Sequence, residues 1–240
     1  MFDTRMQLVL VALVATALTG SAMAGSISGT VRYEGAVPAS ATQPVKMDAD
    51  PGCAKKHSTD VMPEFLVLGG GQTLGNVFVH VKGGLPAKQH TPPSDPVVLN
   101  QQGCRYEPHV MGVMVGQPFK ILNSDGLLHN VHSLPKLNTG FNRAMPASVT
   151  EAEFEFTKEE FMFKVKCDVH PWMNAWIAVL PHPYFAVSGK DGKYKIDGLP
   201  AGTYEIEIWH EKLNTQSTSV TISGDENKTA DFTFTPPKRG

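Results

Sequence analysis

The sequence predicts an all-β protein, on three observations. Apolar residues alternate with polar ones at period two from Ser26 onward, Gly, Pro, Asn and Asp clusters punctuate that alternation, and no stretch repeats at helical spacing over an ordinary helix length. Ile27, Val31 and Tyr33 share one face of a first strand, and Val77, Val79 and Val81 alternate with Phe78 and His80 in a second. Between them, Pro38 to Pro63 is irregular and polar and carries Cys53 and His57. Gly83-Gly84 and Pro92-Pro93-Ser94-Asp95-Pro96 break the pattern before a block from Val97 to Leu180. Within that block, Val113 and Val115 lead through a Gly116-Gln-Pro turn into Phe119, Ile121 and Asn123, and Phe154 with Phe156 marks a further strand. Thr157 to Glu160 offers a short turn at most. Phe161, Phe163, Val165 and Cys167 share parity, so all four are expected to face inward. Trp176 to Leu180 resumes as an apolar strand. The last block turns at Gly189-Lys-Asp-Gly192 and again at Gly198-Leu-Pro-Ala-Gly202, making a small antiparallel unit that ends with Phe232 and Phe234.

The ends and the composition narrow the function. Arg5, an apolar run from Leu8 to Leu18 and the small-residue pattern Ala22-Met-Ala24 read as a secretory signal peptide over 1–24, cleaved after Ala24. No Arg pair and no Cys mark a twin-arginine or lipoprotein route, so export unfolded to a periplasmic or extracellular space is expected. The net charge of −2 gives no basis for binding nucleic acid or anionic lipid. No other stretch is apolar enough to span a bilayer.

The chemistry concentrates in Cys167-Asp-Val-His170-Pro-Trp-Met173, where a thiolate, an imidazole and a thioether fall within seven residues. A second imidazole is available in His129-Asn-Val-His132. Two imidazoles, one thiolate and a weak axial thioether make the trigonal donor set of a single type 1 copper ion used for electron transfer. His129 and His132 are an odd number of residues apart and point to opposite faces of a strand, so only one can be a ligand. The competing assignment is a buried structural cluster or a zinc site, for which a thioether has no use. The chain has three cysteines, and if Cys167 holds metal in an oxidising compartment, Cys53 and Cys104 are left to pair. Two buried free thiols are the alternative. The remaining histidines (57, 80, 90, 109, 182 and 210) lack neighbours at ligand spacing.

Leu128-His129-Asn-Val-His132 followed by Cys167-Asp-Val-His170-Pro-Trp-Met173 resembles the cupredoxin family, specifically the amicyanin and plastocyanin-like type 1 copper proteins, over about Asp95 to Leu180. The resemblance implies a Greek-key β-sandwich with His129, Cys167, His170 and Met173 as copper ligands and His132 outside the set. It implies that Asn130 hydrogen-bonds across to steady the Cys loop. Asp168 departs from the small hydroxyl residue usual there, which leaves the hydrogen bonding at sulfur open. The loop histidine of the family is an electron port, so His170 ringed by Pro171, Trp172 and the Met145-Pro146 pair is the expected exit.

Asp191-Gly-Lys-Tyr-Lys-Ile with Leu199-Pro-Ala-Gly-Thr-Tyr204 resembles a carboxypeptidase regulatory-like domain, a small transthyretin-like β-sandwich. Ile27-Ser-Gly-Thr-Val-Arg-Tyr resembles the opening strand of the same family. The expected organisation is therefore a signal peptide over 1–24, N-terminal strands over 25–94 that could belong to the second sandwich, a cupredoxin domain over 95–182, the regulatory-like domain over 183–235, and a tail over 236–240. The cupredoxin is either inserted into the second sandwich or extended by an appended hairpin unit.

Two functions follow. One is a soluble carrier of single electrons whose partners are proteins, a donor dehydrogenase or a cytochrome. The other is a copper-binding envelope protein that stores or delivers the ion, or docks a partner around structural copper. Catalysis is not expected. No His-x-His pair supplies a second copper centre, no second Cys in the loop supplies a binuclear one, and no Cys-x2-Cys-His marks covalent haem.

Overall fold

The computed structural model describes residues 24–236, so the signal-peptide expectation and the last residues of the tail lie outside it. The chain is all-β, arranged as two sandwiches. It opens with β1 (Gly25–Tyr33), crosses an irregular strap that includes one helical turn, α1 (Pro51–Ala54), and enters β2 (Phe78–Gly83). It then builds β3 (Val97–Gln102), β4 (Arg105–Glu107), β5 (Val110–Met114), β6 (Pro118–Asn123) and β7 (His129–Ser133). The same block continues through β8 (Asn142–Met145), β9 (Glu151–Glu155), β10 (Glu160–Lys166) and β11 (Asn174–Leu180). The chain closes with β12 (Phe185–Val187), β13 (Lys193–Leu199), β14 (Gly202–His210), β15 (Asn214–Ile222), β16 (Asn227–Thr229) and β17 (Phe232–Phe234).

Strands β3 to β11 form one sandwich. Its sheets are β4-β3-β6-β9 and β5-β11-β10-β7-β8, mostly antiparallel, with β3 parallel to β6 and β5 parallel to β11. Their inner faces bury Leu99, Phe119, Ile121, Val131, Phe156, Val165 and Ile177 in one core. The other sandwich pairs β1 with β13, β16 and β17 against the sheet β12-β2-β14-β15, over a core that includes Ile27, Val79, Tyr204, Ile206 and Phe234. Thus β1 and β2 pair with strands from the far end of the chain, and residues 97–180 are inserted between the two parts of the second sandwich. Phe78 of β2 meets Val110, Ala178 and Leu180 across the two units. Beside that contact Trp176 and Trp209 lie edge to face, ring centroids 5.2 Å apart.

One expected inward residue points outward. Phe163, Val165 and Cys167 are buried, but Phe161 is 37% exposed. Met162 takes a positive φ of 51°, and the β10–β11 register shifts between Glu160 and Phe163. A bulge of this kind resets the alternation, so parity counted across it fails. The Glu160 carboxylate is buried instead and accepts hydrogen bonds from the backbone amides of Lys136, Leu137 and Asn138. It holds the loop that leaves β7.

Candidate metal centre

Strand β10 ends at Lys166, so Cys167 leaves the strand on its inward parity and is 2% exposed. The chain then doubles back. Met173 N donates to His170 O at 2.9 Å, and Cys167 N donates to Met173 O at 3.1 Å, closing the loop just before β11. His129 opens β7, the neighbour of β10, and is wholly buried. Both imidazoles and the sulfur converge: every pair of donor atoms from His129, Cys167 and His170 lies within 4.8 Å. Met173 is 1% exposed and sits in the same core as Cys167 and Val131. His132, three residues after His129, faces away and gives its Nδ1 to Asp168.

The tautomers show what the cluster can hold. His129 Nε2 lies 2.9 Å from Asp125 Oδ2, and His170 Nε2 lies 2.9 Å from Asp50 Oδ2. A carboxylate accepts only, so each Nε2 carries its proton and each Nδ1 presents a lone pair. Those two Nδ1 atoms face one another at 2.9 Å, and Cys167 Sγ is 4.0 Å from His170 Nδ1. Two acceptors and a thiolate gathered out of water repel unless a cation lies among them. An ion about 2.0 Å from nitrogen and about 2.3 Å from sulfur at trigonal angles would set spacings of about 3.5 and 3.7 Å. The nitrogens stand closer and the sulfur farther than those spacings, each by less than about 1 Å, so a small shift of the rings lets the donor set hold a soft or borderline metal ion.

The protonation tendencies show the same demand for positive charge among the donors. Burial works against charge on His129, but Asp125 and Cys167 outweigh it and lift the ring to about 8. Burial pushes the Cys167 thiol up, yet hydrogen bonding from His129 and from backbone amides including that of His170 holds it below its ordinary value. Asp125 is buried, which raises it, but His129, the amides of Cys104 and Gly103, and Lys56 bring it down to about 2. With no metal among the donors, a proton on His129 takes the place of the cation that the paired Nδ1 atoms and the sulfur call for.

The sulfur accepts from the backbone N–H of His170 at 3.4 Å, and Asn130 braces the loop around it. Asn130 Oδ1 accepts from the backbone N–H of Asp168 at 2.7 Å and lies 3.3 Å from Cys167 Sγ, while its Nδ2 donates to Asn142 and to Asp168 Oδ2. Asp168 gathers His132, Lys166, Asn130 and Asn142 around its carboxylate. The acidic residue therefore does not disturb the loop. It ties Asn130 down from the outside.

The expected port is not where the resemblance put it. His170 is 2% exposed, because Asp50 and α1 lie over its outer edge, with Cys53 Sγ 3.6 Å from Nε2. Met145 is wholly buried with its sulfur on Gln101, so it cannot form a surface rim. Pro171 is exposed. Half-buried Trp172 lies with its ring 5.1 Å from that of His170, donates Nε1–H to Cys104 O, and lines a cavity of about 240 Å³ with Met47, Arg105, His109 and Lys164.

Cys53 and Cys104 are joined in a disulfide, both fully buried, and Cys167 is unpaired. His57 bonds Gly103 O and His109 bonds Glu211. Asp50 and Asp125 were not legible as site residues. Asp125 reads as part of an Asp-Gly turn, although its place four residues before His129 is a faint signal. Asp50 lies 120 residues from His170 in an irregular stretch and carries no signal at all.

No family model matches the chain, and no curated protein is similar to it. Solved structures give partial likenesses. A methionine-to-glutamine variant of amicyanin with Cu(I) is 21% identical over 35% of this chain and 81% of its own, with a TM-score of 0.32. The copper-containing nitrite reductase of Thermus scotoductus SA-01 is 19% identical over 42% of this chain and 26% of its own, at 0.34. A purple cupredoxin from Nitrosopumilus maritimus is 25% identical over 31% of this chain and 81% of its own, at 0.27.

Proposed function

We propose that this protein carries single electrons through one copper ion held by His129, Cys167, His170 and Met173. The observation that carries this reading is the facing pair of Nδ1 lone pairs with the Cys167 sulfur beside them, each ring fixed from behind by a carboxylate. When bound, copper supplies one-electron redox chemistry, with the thioether and the hydrogen bonds at sulfur tuning its potential.

The residues of this chain supply rigidity and dryness. His129 is held by Asp125, His170 by Asp50, and the Cys167 loop by Asn130 and its two backbone bonds. Ligands that cannot move keep reorganisation small between oxidation states. Cys167, His129, His170 and Met173 are each no more than 2% exposed, an enclosure that favours retention of the ion over its delivery. Electrons then leave through Trp172, whose ring neighbours His170 and reaches the cavity. The reading is of a carrier rather than an enzyme, acting outside the cytosol with a protein donor and acceptor. The regulatory-like sandwich would serve as its scaffold.

Voltammetry of the copper-loaded chain tests it. A reversible one-electron wave is expected, with no copper passing to an apo-acceptor protein. Sluggish, irreversible cycling together with efficient copper transfer would overturn carriage in favour of delivery.

A further inference from the structure

The Cys53–Cys104 bond occupies an unusual place. The amide of Cys53, with that of Gly52, donates to Asp50 Oδ1, and Asp50 Oδ2 faces His170 Nε2. The amides of Cys104 and Gly103 donate to Asp125, whose Oδ2 faces His129 Nε2. Each half-cystine thus holds the carboxylate that orients one imidazole. The disulfide ties the two carboxylates together, and Lys56, two residues past α1, reaches Asp125 at 3.3 Å to close the frame a second time.

The two halves come from different parts of the molecule. Cys104 and Asp125 belong to the first sandwich. Asp50, Cys53 and Lys56 lie on the strap between β1 and β2, strands of the second sandwich. The strap is pinned where Met47 enters the first core, and it is closed on itself where Val45 N bonds Val61 O.

We propose that the Cys53–Cys104 disulfide, acting through Asp50 and Asp125, is a positioning device that sets the mutual orientation of His129 and His170, so that the second sandwich contributes part of the metal centre. This rests on the reading of these histidines as ligands. It gives the second sandwich a task that its distance from the Cys loop in sequence conceals: its strap fixes one ligand ring and covers that ring from solvent. Outer-shell partners of metal-bound histidines usually matter to affinity by about 10–100-fold.

Asp50→Asn on the full oxidised chain separates positioning from folding. An amide still caps α1 with its oxygen, but it cannot also accept from His170 Nε2–H. The expected result is a small fall in the unfolding midpoint, copper affinity weaker by roughly 10–100-fold in chelator competition, and a shifted thiolate-to-copper absorption band. Cys53→Ala/Cys104→Ala should move affinity and spectrum in the same direction. If that double variant does not fold, Asp50→Asn decides alone. Wild-type affinity and spectrum in Asp50→Asn would overturn the proposal while leaving the copper reading intact. A wild-type chain that shows no thiolate-to-copper band would remove both.

Discussion

Asp50 Oδ2 and His170 Nε2 meet at 2.9 Å across 120 residues of sequence, and the contact closes the outer edge of the loop histidine. Under the proposed electron-carrying function, this contact covers the ring edge that would otherwise face a docked protein. On that proposal the exit is the half-buried indole of Trp172, its ring 5.1 Å from that of His170.

Trp172→Ala should therefore slow electron exchange with a protein partner by an order of magnitude or more while leaving the copper absorption in place. Trp172→Phe, which keeps an aromatic ring beside His170, should lose less. Stopped-flow exchange with a soluble one-electron protein donor measures this, and equal rates for all three proteins would remove Trp172 from the path.

Asp168→Ala frees Asn130, Asn142, His132 and Lys166 from their shared carboxylate. The Asp168 carboxyl is held below the usual carboxylate range, chiefly by Lys166 and with Asn142, Asn130 and His132 adding to it, so it is ionised at neutral pH. The variant should lower the unfolding midpoint and shift the copper band, because Asn130 contacts the sulfur. Asp168→Asn, which keeps one acceptor oxygen, should give a smaller shift. An unaltered spectrum in both would show that Asn130 needs no outer tether.

Glu160→Gln supplies a contrast. The buried carboxylate accepts three backbone amides at the loop after β7, and charged hydrogen bonds of this kind make the loss about 2 kcal/mol of stability. Chemical denaturation should show that loss with the copper spectrum unchanged. A change in colour would mean that the bulge in β10 governs the metal loop.

Two histidines far from the loop predict acid sensitivity. Burial pushes both His182 and His210 down to about 4. Each ring also accepts a backbone N–H at Nδ1, from Tyr184 and from Lys212, which suits the neutral form. The unfolded chain takes up these protons near pH 6.5 and the folded chain only near 4. Stability should thus fall as pH drops through that window, by up to roughly 3 kcal/mol per ring, and His210→Gln should flatten the slope. Denaturation midpoints from pH 7 to 4 measure it, and a flat profile would contradict the assignment.

The all-β class was readable because alternation and turn chemistry repeat along the whole chain. The meeting of Cys167 with His170 was readable because one short loop carries both. What escaped was non-local. Asp50 reaches His170 only because β1 and β2 pair with strands more than a hundred residues away. Phe161 was misplaced because a single positive φ at Met162 reverses the count. Trp172 was readable as a rim residue, but the strap over His170 was not, since nothing in a polar stretch between two prolines announces what it will cover.

The most direct test is the optical and electron paramagnetic spectrum of the full chain given one equivalent of cupric ion, with Cys167→Ser beside it. The account predicts an intense red-region charge-transfer band, a narrow copper hyperfine splitting, and loss of both in the variant. A colourless protein, or one whose copper signal survives Cys167→Ser, would contradict it.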